Sequence, residues 1–371
     1  MYSSVFLLAL AVVIAYLNRD VLADTIESAR DVSLLHLCFL GIIASTLIFA
    51  RGALLASTLP GLTVRKAAVA DQVALSAAYA IAVGGGPIGL AAKISMFNHW
   101  RFTSAAIGAS LVATAVVPTF TTWVPAVAVH LPDTFQGDAS RVEALAVIVG
   151  ILTILFNVGF WLSVLYLKKP IHVIASFSQW VQKTVTHGVP KRLTRAQRAV
   201  HSFDADTFVH STRGDLLSLL RSRGLHMFGS ALVVTLTSLA AFLVSLRAFN
   251  VNNITLFEAL SAFTLLRVVV ALSPLPGGVG LAEISSVALL TNYGADESLA
   301  VGATLLYRAV VWLLPMIVGG ISWWLWSRKN VWLPQHQFSE QSSNPECREC
   351  HLCHPQRTSC VEWSDSLATS P

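Results

Sequence analysis

Apolar residues in this chain gather in long, charge-poor windows rather than in a 3.6- or two-residue alternation. The windows cover about residues 3–18, 33–57, 67–83, 103–131, 142–167, 226–247, 254–272 and 297–326. At roughly 20 residues per crossing they predict about eight transmembrane helices. The short alternating strands of a membrane barrel are not seen. The expected fold is an all-α polytopic membrane protein. The first window reads as a retained helix rather than a cleaved signal peptide, because it lacks a positively charged start.

Two windows end in Gly/Pro clusters. Gly84-Gly-Gly-Pro-Ile-Gly89 follows the third window, and Pro274 to Gly280 follows the seventh. Each cluster leads through a short segment into a long span. The octapeptide Ser104 to Leu111 matches Ser298 to Leu305 at five identical positions. Just upstream, Gly89-Leu90-Ala91 matches Gly280-Leu281-Ala282. The order of elements and these matches point to an internal repeat. Irregular backbone at membrane depth persists only where protein or a water-filled cavity surrounds it. Paired Gly/Pro interruptions in two halves are the sequence mark of a transporter's site. The two clusters are therefore expected to be re-entrant segments bordering one cavity.

Composition agrees, with 54% hydrophobic and 12% charged residues in 371. Residues 168–224 hold ten of the 25 Lys and Arg against Asp204, Asp206 and Asp215. That excess reads as a cytoplasmic loop under the positive-inside rule, and it lacks the aromatic series expected of a nucleic-acid binder. The expected divisions are a membrane half over 1–167, the basic loop over 168–224, a second membrane half over 225–326 and a polar tail over 327–371.

Few ionisable residues fall inside the apolar windows. Glu258 and Arg267 lie in the 254–272 window, Glu283 follows the second Gly/Pro cluster, and Arg308 lies well inside the last span. A charge near the bilayer centre costs about 2.5–3.5 kcal/mol on insertion scales, so such residues face a partner or a cavity. Lys93 is a further candidate, whereas Arg51 reads as snorkelling to an interface. Arg308 and Arg267 are expected to contact an anionic headgroup, and Glu283 is expected to hold Arg308 when the site is empty.

The segment Pro274-x-Pro-Gly-Gly-Val-Gly-Leu-Ala-Glu283, with Leu305-Leu306-Tyr307-Arg308 after it, resembles the flippase-like membrane family related to the transmembrane region of lysylphosphatidylglycerol synthases. That resemblance implies a membrane domain of eight or so helices that moves lipids or lipid-linked sugars between leaflets. It implies site roles for the matching Pro276, Gly277, Gly278, Gly280, Glu283, Tyr307 and Arg308. In the first half the family's Gly-Glu followed by Arg is replaced by Gly89-Leu90-Ala91-Ala92-Lys93. The synthases' transferase domain has no counterpart in the 45 residues after the last span.

The tail carries Cys347, Cys350, His351, Cys353 and His354. This spacing suits zinc or covalent c-type haem attachment. In a polar stretch that reads as a disordered linker, an incidental cluster is the preferred reading, and no cofactor is expected. The leading function is movement of a phospholipid or lipid-linked anionic substrate between leaflets of the cell membrane. Two alternatives stay open: a membrane enzyme acting on lipid headgroups, and a non-catalytic partner that recruits proteins.

Overall fold

The computed structural model describes residues 30, 32–81, 85–136, 141–166, 205–273 and 275–330. The first predicted window, residues 168–204 of the basic loop and the Cys/His tail lie outside the described residues, as do Gly84 and Pro274. The chain divides into a unit reaching Trp324 and a second unit from Leu325, in which only the end of the last helix is described.

The described residues are helical, with no strand among them. The elements are α1 (Leu34–Thr58), α2 (Val64–Ala80), α3 (Gly85–His99), α4 (Ser104–Gln136), α5 (Arg141–Tyr166), α6 (Ala205–Ala248), α7 (Leu256–Leu272), a 3-10 turn (Pro276–Gly278), α8 (Leu281–Asn292), α9 (Glu297–Arg308), a π turn (Ala309–Leu313) and α10 (Leu314–Asn330). Five stretches are long and apolar enough to cross a membrane: Leu34–Thr58, Ser104–Pro132, Glu143–Leu162, Leu216–Ala248 and Glu297–Arg328. Their outer faces expose side chains such as Phe156 at 70% and Leu232 at 50%. An apolar exterior of this kind requires an apolar solvent. The protein is an integral membrane protein.

Two of the expected spans are short helices that pair with the helix after them. Helices α2 and α7 have 17 residues each, about 25 Å at 1.5 Å per residue, against about 30 Å of hydrocarbon. Each turns back on a shorter partner to make a helical hairpin. In α2–α3, a Cβ on Gly85 would meet the Ala77 carbonyl, and one on Gly89 would meet the Ala74 carbonyl. Gly85 and Gly89 are therefore helical and serve close packing. Pro87 sits in the first turn, where its missing N–H costs nothing. At the open end of this hairpin the Lys66 ammonium lies 5.5 Å from the Trp100 ring centre. In α7–α8 the open end is tied by Ser261 and Tyr293, whose hydroxyls are 2.8 Å apart.

Helices α1 and α6 run antiparallel. Leu40 and Ala44, early in α1, pack with Ala241, Phe242 and Leu246, late in α6. Leu54, late in α1, packs with Leu216, Leu219 and Met227, early in α6. Each leads into a hairpin and then a long helix, so the order α1 to α4 is repeated by α6 to α10 in the opposite direction. Helix lengths follow suit, with 17, 15 and 33 residues over α2 to α4 and 17, 12 and 32 for α7, α8 and the last span. The matched Ser110 and Thr304 are both fully buried. Ser110 bonds Thr58 at 2.7 Å and Thr304 bonds Ser286 at 3.1 Å. Helix α6 also begins earlier than expected, so that 205–224, part of the predicted loop, form its first turns.

Replacing Gly89 by Ala should lower stability by about 1–3 kcal/mol, because the new methyl group meets backbone that cannot rotate away. Gly41→Ala, where a Cβ has open space, should leave stability unchanged or slightly raised. Thermal unfolding in detergent micelles checks both.

Candidate functional site

The turn of the second hairpin meets the end of α2. A Cβ on Gly277, in the second turn, would lie 3.4 Å from the Tyr79 ring, next to the first turn, and would collide with the Trp312 indole. Gly277 also has φ of +64°, a left-handed conformation that L side chains resist. Both demands select glycine. Tyr79 and Trp312 lie with ring centres 6.2 Å apart.

Beside this contact is a cavity of about 210 Å³ whose lining includes Arg51, Arg267 and Arg308, with Tyr79, Tyr307 and Trp312. Arg308 is 7% exposed. Its Nε donates to Glu283 Oε1 at 2.6 Å and its Nη2 donates to the Gly277 carbonyl at 2.7 Å. The other Glu283 oxygen accepts the Gly280 N–H at 2.7 Å and caps α8. One carboxylate therefore fixes both the start of α8 and the guanidinium on α9. A π turn follows Arg308 directly, and it brings Trp312 to the cavity with its ring centre 5.6 Å from the Arg308 Cζ.

Arg267 has no carboxylate within its hydrogen bonds. It donates to Thr122 at 2.8 Å and Thr235 at 3.2 Å. Arg51 Nη1 and Trp312 Nε1 are buried and make no hydrogen bond among the described residues. Among the described residues the lining thus holds three guanidinium groups and no carboxylate, with Glu283 balancing one of them. A buried charge left without a partner costs several kcal/mol. Donors with nothing to bond here face a space that holds several waters at about 30 Å³ each.

The expected site residues separate accordingly. Arg308, Arg267, Tyr307 and Gly277 line the cavity and Glu283 is bonded to it. Gly278 packs towards Val270, and Gly280 supplies the cap N–H; both shape the turn rather than the lining. Glu258 does not reach the cavity, because it closes a capping box at the start of α7, accepting from Thr255 N at 2.6 Å and Thr255 Oγ1 at 2.8 Å. Lys93 is not brought there either, since Asp71 on α2 pairs with it at 3.0 Å. Arg51, expected to snorkel, is instead part of the lining. Among the described residues no His/Cys/Asp/Glu group is arranged to hold a metal.

The two halves differ where the charge sits. The repeated segments put Ala92 at the position of Glu283 and Thr114 at that of Arg308. Both members of the ion pair are missing from the first half together, which leaves no charge uncompensated. Glu283→Ala and Arg308→Thr should each cost about 2–3 kcal/mol by stranding the partner's charge. The double variant, copying the first half, should cost less than the sum of the two. A double-mutant cycle on unfolding temperatures measures this coupling.

The family model described as the lysylphosphatidylglycerol synthase TM region matches residues 134–319. A UPF0104 membrane protein of Pyrococcus horikoshii is 34% identical over 70 residues, which is 19% of this chain and 21% of that protein. The similarity therefore spans about a fifth of the relative's length. No solved structure matches. The family match takes in 186 of 371 residues, from the end of α4 to α10 and including Glu283, Arg267 and Arg308. This chain belongs to the lysylphosphatidylglycerol synthase TM region family.

Proposed function

We propose that the protein binds the anionic headgroup of a phospholipid or lipid-linked substrate in the arginine cavity and moves it between the leaflets of the cell membrane. The observation that supports this is the excess of guanidinium over carboxylate in a cavity where the second hairpin turn meets the end of α2. In this reading each hairpin acts as a re-entrant segment, one from either side, that stops at mid-membrane.

Carrying a phosphate through hydrocarbon requires that its lost hydration be replaced. Arg51 and Arg267 offer charge-assisted hydrogen bonds, worth about 1.5–3 kcal/mol each. The Arg267 guanidinium rests on two neutral hydroxyls, so a phosphate displaces weak acceptors and leaves no anion behind. Arg308 plays a different part, because a carboxylate partner already holds it. It keeps the second turn closed against Trp312, and exchange of Glu283 for phosphate on Arg308 opens that turn. Tyr79 and Trp312 form the wall that this opening removes.

Arg51→Ala and Arg267→Ala should each slow transfer of a fluorescent phosphatidylglycerol in reconstituted vesicles by about tenfold or more, the effect of losing about 1.4 kcal/mol or more. Arg247→Ala, at an exposed residue bonded to Asn252, should match the unsubstituted protein. Unchanged transfer in both cavity variants would refute the reading.

A further inference from the structure

The lining of the arginine cavity is one-sided in charge and in hydrogen-bonding sense. Three guanidinium groups stand against one carboxylate, Glu283, which leaves an excess of two positive charges among the described residues. The other described carboxylates are engaged elsewhere: Asp71 pairs with Lys93, Glu143 lies beside His130, Glu258 and Asp296 cap helices, and Glu297 is exposed. A buried lysine can shed its proton and become neutral, whereas a guanidinium keeps its charge. The excess is therefore left for the occupant of the cavity to match.

Donors outnumber acceptors on the same lining. Arg51 Nη1 and Trp312 Nε1 have no acceptor among the described residues, and Tyr79 and Tyr307 add phenol hydroxyls. Of the groups that could accept, Thr122 gives its proton to the Pro118 carbonyl at 3.1 Å and already accepts from Arg267. Ser238 gives its proton to the Val234 carbonyl at 2.8 Å, and the Gly277 carbonyl is taken by Arg308. Side chains such as Leu266, Val270 and Val311 complete the lining and are apolar. A headgroup ending in an ammonium, a glycerol or a sugar brings donors of its own, and a buried donor without an acceptor is costly. Volume adds a third limit. About 210 Å³ is the room of about seven waters at about 30 Å³ each, enough for one phosphate group and little beyond it.

We infer that the cavity selects a lipid whose headgroup is a terminal phosphate monoester. Such a group carries about −1.5 to −2 charges at neutral pH and presents three strong acceptor oxygens. It meets the excess charge, the unpaired donors and the small volume together. A phosphodiester such as phosphatidylglycerol carries a single negative charge, leaves one guanidinium unmatched and adds hydroxyls that the lining does not serve. This inference rests on the cavity reading above and narrows it, making the phosphate monoester the preferred cargo and phosphatidylglycerol a weaker one. Inorganic phosphate offers the same chemistry without acyl chains.

Calorimetry on the full chain in non-ionic detergent micelles at about pH 8, where a phosphate monoester is close to doubly charged, tests this with three probes: short-chain phosphatidic acid, phosphatidylmethanol of the same chains, and inorganic phosphate. Phosphatidylmethanol differs from phosphatidic acid by one methyl group, which holds its charge at a single negative and adds no hydroxyl, so the comparison isolates charge. Phosphatidic acid should bind about tenfold or more tightly than phosphatidylmethanol. In Arg51→Met, which leaves an excess of one charge, that ratio should fall several-fold, whereas Arg247→Ala, at an exposed residue, should keep it. If Arg51→Met does not fold, Arg51→Gln takes its place. Equal affinities for the two lipids, or a ratio that the Arg51 variant leaves unmoved, overturns the inference while the cavity reading stands. Absence of binding of either lipid overturns both. Inorganic phosphate binding as tightly as phosphatidic acid overturns the lipid as the source of the group, and weaker binding supports it.

Discussion

Guanidinium groups inside an apolar solvent must be matched by charge, by hydrogen bonds or by space for something that supplies them. Arg308 is matched by Glu283 and the Gly277 carbonyl, Arg267 by two threonine hydroxyls, and Arg51 incompletely. The rest of the architecture follows from arranging these three solutions around one cavity. The bonds of Arg308 require the 3-10 turn to lie against α9, and the approach of that turn to Trp312 requires glycine at 277. Arg267 requires α4 and α6 to present threonines at one level. Polar contacts so few must be well placed, because hydrocarbon offers no water to correct them.

Antiparallel pairing of α1 with α6 gives this cavity its position. Two halves that run the same course in opposite directions bring equivalent hairpins in from opposite ends, and the end of α2 meets the second turn. Short helices thus let the second turn and the end of α2 lie beside one cavity. Close backbone contact at Gly85 and Gly89 keeps the first hairpin narrow, and the Ser261–Tyr293 bond closes the second at its open end. The halves share a path and differ in chemistry, with an ion pair in the second where the first has Ala92 and Thr114.

Much of this was readable from residue type and order. The all-helical membrane fold followed from apolar windows, and the second turn from Gly277, Gly278 and Gly280, whose left-handed φ values only glycine adopts readily. Arg267 and Arg308 stood out because their windows hold so few charges. Other features share their composition with something different. A 17-residue apolar helix looks the same whether it stands alone or pairs with the next helix, so the hairpins of α2 and α7 were not legible in the windows. Arg51 sits seven residues from the end of α1, where a snorkelling arginine would also sit. Glu258 shows the opposite case, since Thr255-x-x-Glu258 is the sequence form of a capping box and competes directly with a role in the membrane. His130 and Glu143 lie near the ends of successive helices, and only folding reveals that they face one another.

The π turn after Arg308 has its own consequence. One added residue in a helical turn advances the phase of everything beyond it by about 100°. Trp312 meets Gly277 because of that offset, and a regular α-helix through 309–313 would aim the indole elsewhere. Removing a single residue from this segment would therefore do more than shorten the helix: it would re-aim one wall of the cavity while leaving composition and hydropathy nearly untouched. Chain length between Arg308 and Leu314 is for this reason as much a determinant of the site as the identity of any side chain in it.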